Sequence, residues 1–412
     1  MNLRSLPFAI LMTALVTSAM YGQTYSLLHV FHLGQNGYRP IEVVASKTGE
    51  IFGETYLGGG STLCGTNGFG QPAGCGTIFK MRGDGSGYRQ LYSFSGLVDG
   101  ATPSGTLILD KNGNLYGVTS GGGANGKGTV FQLSPPVAPG ASWTQTTLYD
   151  FTSYDAGFRY SGLALDGAGN LYVTDPGYPD TFGNIFELTP PSNPGNPWTY
   201  QLLYAFAGLQ NLDATLPTGA LAIDSQGNIY GTSEWGGING CYNVGCGTIY
   251  QLRPPKNPDD PWRERVIYRF NGTSDGYEPF GGIVLHNGML YGTTAFGGDV
   301  GGGTVYQFSV PGGTPNFVVL HSCGNEGANP ATVAFDAAGN LYSATTFLYG
   351  TIFMLTPANG GNWPETIVHN FQGGGDGYGP RGNLASGPFG IVGATEGGET
   401  SQDGGTVYVV GP

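Results

Sequence analysis

The groups best placed to do chemistry in this 412-residue chain are carboxylates set beside aromatic rings. An Asp-Gly-x-x-Pro theme recurs at Asp99-Gly100-Ala101-Thr102-Pro103, Asp275-Gly276-Tyr277-Glu278-Pro279 and Asp376-Gly377-Tyr378-Gly379-Pro380. Asn36-Gly37-Tyr38-Arg39-Pro40 is a variant, and Asp155 and Asp213 are looser relatives. Aromatic faces next to carboxylates are what a sugar-binding or cation-binding surface uses. The candidate ligand-binding residues are therefore Asp99, Asp275, Asp376, Tyr38, Tyr277, Tyr378 and Trp235. Tyr56, Phe296, Glu54, Glu234 and Glu396 are expected on the same face. The plainer reading is that Asp-Gly opens a tight turn and Pro sets the strand that follows. Glycan cleavage would need two carboxylates roughly 5–10 Å apart, one with its pKa raised by burial. The chain offers too many equivalent acids to choose such a pair, and near-equivalence favours structure over catalysis. No catalytic residue is assigned.

The other chemistry-bearing residues read as structural. Cys64 and Cys75 flank one Gly-rich stretch, and Cys241 and Cys246 flank another at the corresponding place. In an exported chain such pairs imply two local disulfides. A zinc site is the sharper alternative, but the two pairs fall in different repeats and no His accompanies them. Cys323 reads as a buried thiol. His29, His321 and His369 occupy equivalent positions in separate repeats and cannot cluster into a metal or catalytic site. Asp110-x-Asn112-x-Asn114 imitates the start of a calcium loop, but its sixth position is Leu115 and its twelfth Gly121, so a turn is expected. No cofactor is implied; a structural calcium ion is compatible with the composition.

The elements that must position these residues repeat along the chain. Gly113-Asn114-Leu115-Tyr116-Gly117-Val118-Thr119 has near-copies throughout, with landmark residues at 52, 116, 172, 230, 291, 342 and 392. Self-similarity at this period marks a repeat architecture. Each repeat holds four short apolar runs bounded by Gly, Pro, Asn and Asp, which are strand signals. Seven such units predict an all-β fold, a seven-bladed β-propeller with four antiparallel strands per blade. The last repeat has three strands, and Tyr25-Ser26-Leu27-Leu28-His29-Val30-Phe31 supplies a leftover fourth-strand motif. The N-terminal strand is thus expected to complete the last blade and remove both exposed edges. The small residue after six of the seven landmarks, Val173 being the exception, is expected to admit a neighbouring sheet. Trp143, Trp198, Trp262 and Trp363 follow Pro-rich loops and are expected to pack over the outer strands.

Residues 1–22 read as a secretory signal peptide, with a basic start and an apolar run too short to span a membrane. Residues 23–412 form one propeller domain on this reading, secreted to an extracellular or periplasmic space, monomeric and without a membrane span. Gly is 76 of 412 residues and the net charge is −13 with only 15 basic residues. That balance excludes a nucleic-acid partner and leaves cations and neutral polymers.

The Gly-x-x-Tyr-Gly-Thr and Gly-Thr-Val-Phe-x-Leu runs resemble the GloVer tandem repeat of bacterial exported proteins. The blades are also distantly similar to NHL-type and kelch-like propeller blades. The resemblance implies the propeller fold and export, and carries no activity with it. The expected role is an exported binding or structural module recognising a polysaccharide or cell-surface polymer on the face of the Asp-Gly-x-x-Pro loops. The alternative is a glycan-active enzyme, a hydrolase or lyase using carboxylates near the channel mouth.

Overall fold

The computed structural model describes residues 22–32, 34, 36–66, 72–152, 161–177, 181–193, 195–257, 259–309, 316–324, 327–397 and 403–411. Residues 1–21 of the expected signal peptide, and Asp155, lie outside them. The strands form seven separate antiparallel sheets in a ring, and six of them follow the chain from an inner to an outer strand. The first blade is Tyr38–Ala45, Glu50–Leu57, Thr77–Arg82 and Arg89–Ser93. The second has its inner strand split into Ala101–Pro103 and Ile108–Leu109.

The seventh blade closes as the leftover motif predicts. Thr24–His32 pairs antiparallel with Asp403–Gly411, outside Gly390–Gly397 and Tyr378–Gly387. A register shift falls between Leu27 and His29, and all six other outer strands shift at the corresponding point, as at Thr147/Tyr149 and Ile249/Tyr250. The N-terminal segment therefore behaves as a true fourth strand, bulge included.

Seven apolar clusters make up the core, and each lies between two neighbouring blades. A blade buries its faces only by stacking on its neighbours, so the ring must close to be stable. The tryptophans serve this stacking. Trp143, Trp198, Trp262 and Trp363 set their rings at a steep angle to Phe52, Tyr116, Tyr172 and Tyr291. Those are landmarks of the preceding blade, so each Trp is an inter-blade wedge, in one cluster with outer-strand residues such as Leu91, Leu148, Leu203 and Leu320.

The small residue after the landmark also has another reason. A Cβ at Gly53 would meet the Phe79 ring at 2.3 Å, and one at Gly231 would meet the Tyr250 hydroxyl at 2.2 Å. The glycine makes room for the aromatic of the adjacent strand in its own blade, not for a neighbouring sheet. That aromatic is Phe in four blades and Tyr at Tyr250, Tyr306 and Tyr408, whose buried hydroxyls meet no partner among the described residues. An unsatisfied buried hydroxyl costs about 1–3 kcal/mol. Tyr250→Phe, Tyr306→Phe and Tyr408→Phe are each expected to stabilise the fold by about 1 kcal/mol, read as a raised Tm in calorimetry. A lowered Tm would mean these hydroxyls are satisfied.

Candidate functional site

The Asp-Gly-x-x-Pro loops join the outer strand of one blade to the inner strand of the next, and the structure gives every residue of the motif a mechanical role. Asp99 Oδ2 accepts from the Tyr92 hydroxyl at 2.9 Å and from the Ser95 amide at 2.8 Å. Asp275 Oδ2 does the same with Tyr268 at 2.9 Å and the Asn271 amide at 3.0 Å. At Asp376 the donors are His369, 3.0 Å away, and the Gln372 amide at 2.9 Å. Asp213 repeats the arrangement with Tyr204 and the Ala207 amide. The following Gly lies over a hydroxyl pair on the second and third strands, such as Thr119–Thr129 at 2.9 Å beneath Gly100. The Pro abuts the glycine that opens the preceding blade's third strand, as Pro103 does at Gly76. The three aspartates hold the loops, and none of them lines the central cavity.

The residue before each Pro is the exception. Arg39, Thr102, Leu216, Glu278 and Asn329 have φ of 60°, 50°, 63°, 56° and 58°. Left-handed backbone at a non-glycine residue before proline is strained by roughly 1–3 kcal/mol. The amides of Thr102, Leu216, Glu278 and Asn329 bond carbonyls of the preceding blade at 2.7–3.1 Å, which holds that geometry. The conformation also delivers side chains to the channel mouth, where Glu278 and Asn329 line a cavity of about 210 Å³.

Phe280 and Phe296 give this cavity aromatic walls, while Glu42, Arg381 and Asn383 add polar groups. Arg381 Nε lies 3.0 Å from Glu396, which also pairs with Arg39, and the Arg39 guanidinium sits 5.4 Å over the Tyr56 ring. From Phe296 an aromatic shelf runs outward. Tyr277 stacks on Phe296 with ring centroids 5.3 Å apart, and Tyr242 meets the Tyr277 edge at 6.4 Å. Tyr242 is 80% exposed. It rides on Cys241-Tyr242-Asn243, three successive residues with φ of 43°, 65° and 64°, beside the Cys241–Cys246 disulfide. The second expected disulfide, Cys64–Cys75, is present as well, and Cys323 is buried between the fifth and sixth blades. Tyr38, Tyr378 and Trp235 stand at the same ends of their blades, opposite Leu57, Gly397 and Thr215.

Beneath the mouth lies a pair of carboxylates of a different kind. Two residues past the Pro, four blades carry Gly105, Gly219, Gly281 and Gly382, and the third blade has Gly162 in the same place at the hub without the Pro. A Cβ at Gly162, Gly281 or Gly382 would come within 1.7–1.8 Å of the next inner strand's carbonyl oxygen, so the blades meet backbone to backbone at the hub. The first blade has Glu42 in this slot. Glu42 Oε2 accepts from the Asn383 amide of the seventh blade at 3.0 Å. Its cross-strand partner is Glu54, and both are fully buried. Burial pushes the Glu42 carboxyl up to about 8, against two hydrogen bonds from Asn383 that act the other way. Burial and then the neighbouring Glu42 push Glu54 well above the usual carboxylate range. The Gly105 amide faces Glu54 and relieves little of this, since neither Glu54 oxygen makes a well-formed hydrogen bond.

The sequence matches the Gloeobacter/Verrucomicrobia repeat over residues 14–245 and again over residues 199–408. The chain belongs to this family. No curated protein matches it in sequence. Among solved structures, a polysaccharide lyase of a new family, an ulvan lyase bound to -[GlcA(1-4)Rha3S]-, aligns at 11% identity and TM-score 0.52, covering 93% of this chain and 96% of its own. A putative 6-phosphogluconolactonase from Bacteroides fragilis aligns at 14% identity and TM-score 0.51, covering 85% and 89%. At these identities the likeness is one of fold.

Within this Gloeobacter/Verrucomicrobia repeat protein, Glu54 lies below the mouth face on which the sequence sets it, and its partner Glu42 belongs to none of the recurring sequence motifs. The signal for Glu42 was an acid in a slot that is glycine in five blades. The Asp110-type segments are turns throughout: Asp110 Oδ1 accepts the Asn112 and Asn114 amides, and Oδ2 accepts the Asn114 side chain, with equivalents at Asp166, Asp224 and Asp336. Those carboxylates are consumed by their own loops. Among the described residues no helix is long and apolar enough to cross a membrane, and no cluster of three or more His, Cys, Asp or Glu could hold a metal.

Proposed function

We propose that this repeat protein is an exported module that binds a polysaccharide or cell-surface polymer at the channel mouth, on the face of the Asp-Gly-x-x-Pro loops. The observation that carries the reading is the shelf Tyr242–Tyr277–Phe296, which descends from an exposed ring into a cavity with amide, carboxyl and guanidinium groups. Flat aromatic faces bordered by a few convergent polar groups suit sugar rings, which have apolar faces and hydroxyl edges. Tyr38, Tyr277, Tyr378 and Trp235 face the ligand in this proposal, and Asp99, Asp275 and Asp376 fix the loops that present them. Two disulfides fit an oxidising compartment, as does the signal segment at residues 1–22. A polysaccharide lyase shares the fold, which puts glycans first among ligands to screen.

The test is a glycan panel followed by titration calorimetry. Tyr242→Ala and Tyr277→Ala are each expected to weaken the best ligand at least tenfold with Tm held within about 2 °C, since stacking contributes on the order of 1–3 kcal/mol. Binding indifferent to both substitutions would overturn the site. One observation favours the second reading, a glycan hydrolase or lyase: Glu42 lines the cavity with a carboxyl protonated near neutral pH, as a general acid requires. Release of cleaved sugar that Glu42→Gln abolishes would establish that reading in place of simple binding.

A further inference from the structure

Glu54 is the least accounted-for group in the molecule. It is fully buried, and neither carboxylate oxygen makes a well-formed hydrogen bond among the described residues; the one donor facing it is the Gly105 amide. Directly across the sheet stands Glu42, also fully buried. Opposed residues of an antiparallel pair project from the same face with Cβ atoms about 4.5–5.5 Å apart. An uncompensated buried carboxylate costs several kcal/mol, and two side by side cost more. Arg381 lines the cavity with Glu42, but its guanidinium is turned to Glu396.

The fold does not ask for acids here. The residues matching Glu54 in the other blades are Val118, Thr174, Thr232, Thr293, Ala344 and Ala394. Where that residue is Thr, its hydroxyl bonds backbone at the hub, as Thr174 does with the Gly162 amide and Thr293 with the Ala331 carbonyl, both at 2.6 Å. Glu42 likewise replaces the hub glycine. Both departures from the repeat fall on one cross-strand pair, in the blade that abuts the closing seam.

We propose that Glu42 and Glu54 bind one hard divalent cation of the calcium class at the channel wall, where the seventh, first and second blades meet. Two carboxylates balance a double positive charge. The hydroxyl of Thr106, on the same cavity wall as Glu42, is a further oxygen within the site's surroundings. An oxygen-only donor set selects calcium over zinc or copper, which prefer nitrogen or sulfur. Through Asn383 and Gly105, which face Glu42 and Glu54, the ion would brace the first blade against both neighbours. This site does not depend on the glycan reading.

The test uses the full mature chain, stripped with a chelator and titrated with calcium, with terbium as a luminescent probe. Wild type is expected to bind one ion and gain roughly 2–5 °C in Tm at saturation. Glu54→Gln, and Glu54→Thr with the residue of the third, fourth and fifth blades, are expected to bind at least tenfold more weakly and to lose the gain. Both variants should melt no lower than stripped wild type. Failure of wild type to bind calcium, magnesium or terbium would overturn the proposal, as would an equal Tm gain in wild type and both variants.

Discussion

A chain lacking Thr24–His32 is expected to lose its cooperative melt and to aggregate. The loss does not come from nine backbone hydrogen-bonding positions alone. Phe31 is 2% exposed and packs in the seam cluster with Val43, Phe79 and Val407. Tyr25 lies flat on His369 with centroids 3.6 Å apart, and His29 lies flat on Tyr88 at 4.2 Å. The strand thus spans the closing seam, touching the sixth blade at one end and the first at the other. Burying a Phe in a core is worth about 3–5 kcal/mol by truncation to Ala, against a total stability of about 5–15 kcal/mol for a domain. Removing the strand also bares Asp403–Gly411 as a long apolar edge, a template for pairing between chains. Phe31→Ala alone should lower stability by about 3–5 kcal/mol. Calorimetry and size-exclusion chromatography of both variants check this. A truncated chain that stays monomeric with an unchanged Tm would show that the ring is closed by something else.

The closure was readable because repetition made an omission visible: a seventh unit short by one strand and a stray strand at the other end. The disulfides were readable for a similar reason, since two cysteine pairs fall at the same phase of two blades. The aspartates were harder. Their partners are Tyr92, Tyr268 and His369, each seven residues earlier. That spacing was present in the chain, but only the bulge shared by all outer strands explains why a side chain so placed turns back to the loop. The strain at Arg39, Glu278 and Asn329 was opaque, because proline ordinarily directs its predecessor to extended backbone. Only the amide bonds to the previous blade at Glu278 and Asn329 explain the exception there. Glu42 was hidden by the opposite problem. Its meaning lies in what the other blades have at that position, and the inner strands vary too much in length for the glycine slot to stand out before the hub is seen.

In chelator, wild type is expected to lose stability steadily from about pH 5 to pH 8, and Glu54→Gln to flatten much of that slope. The sign follows from proton binding. Glu42 is raised from 4.5 to about 8 in the fold and Glu54 is raised well above 4.5, so across this window the native state holds protons that the unfolded chain releases. Stability falls wherever the native state binds more protons, by up to about 1.4 kcal/mol per pH unit for each group. The contribution is complete below the unfolded value near 4.5 and is lost as pH rises to the folded one. Burial is the leading cause for both groups, and Gln at residue 54 removes one of the two titrating groups. A residual slope from Glu42 should remain, since its shift comes from burial. Arg381 and Glu278 share the cavity with Glu42, so Glu278→Gln serves as the control for charge at the mouth, and the wild-type slope should survive it. Saturating calcium should oppose the wild-type decline, because the ion binds the ionised pair and binding strengthens as the protons leave. Melting curves across the pH range, with and without the ion, separate these effects. A wild-type profile that is flat in chelator between pH 5 and 8 would mean that neither carboxyl holds its proton in the fold, and the hub would have to compensate two buried charges by means not seen here.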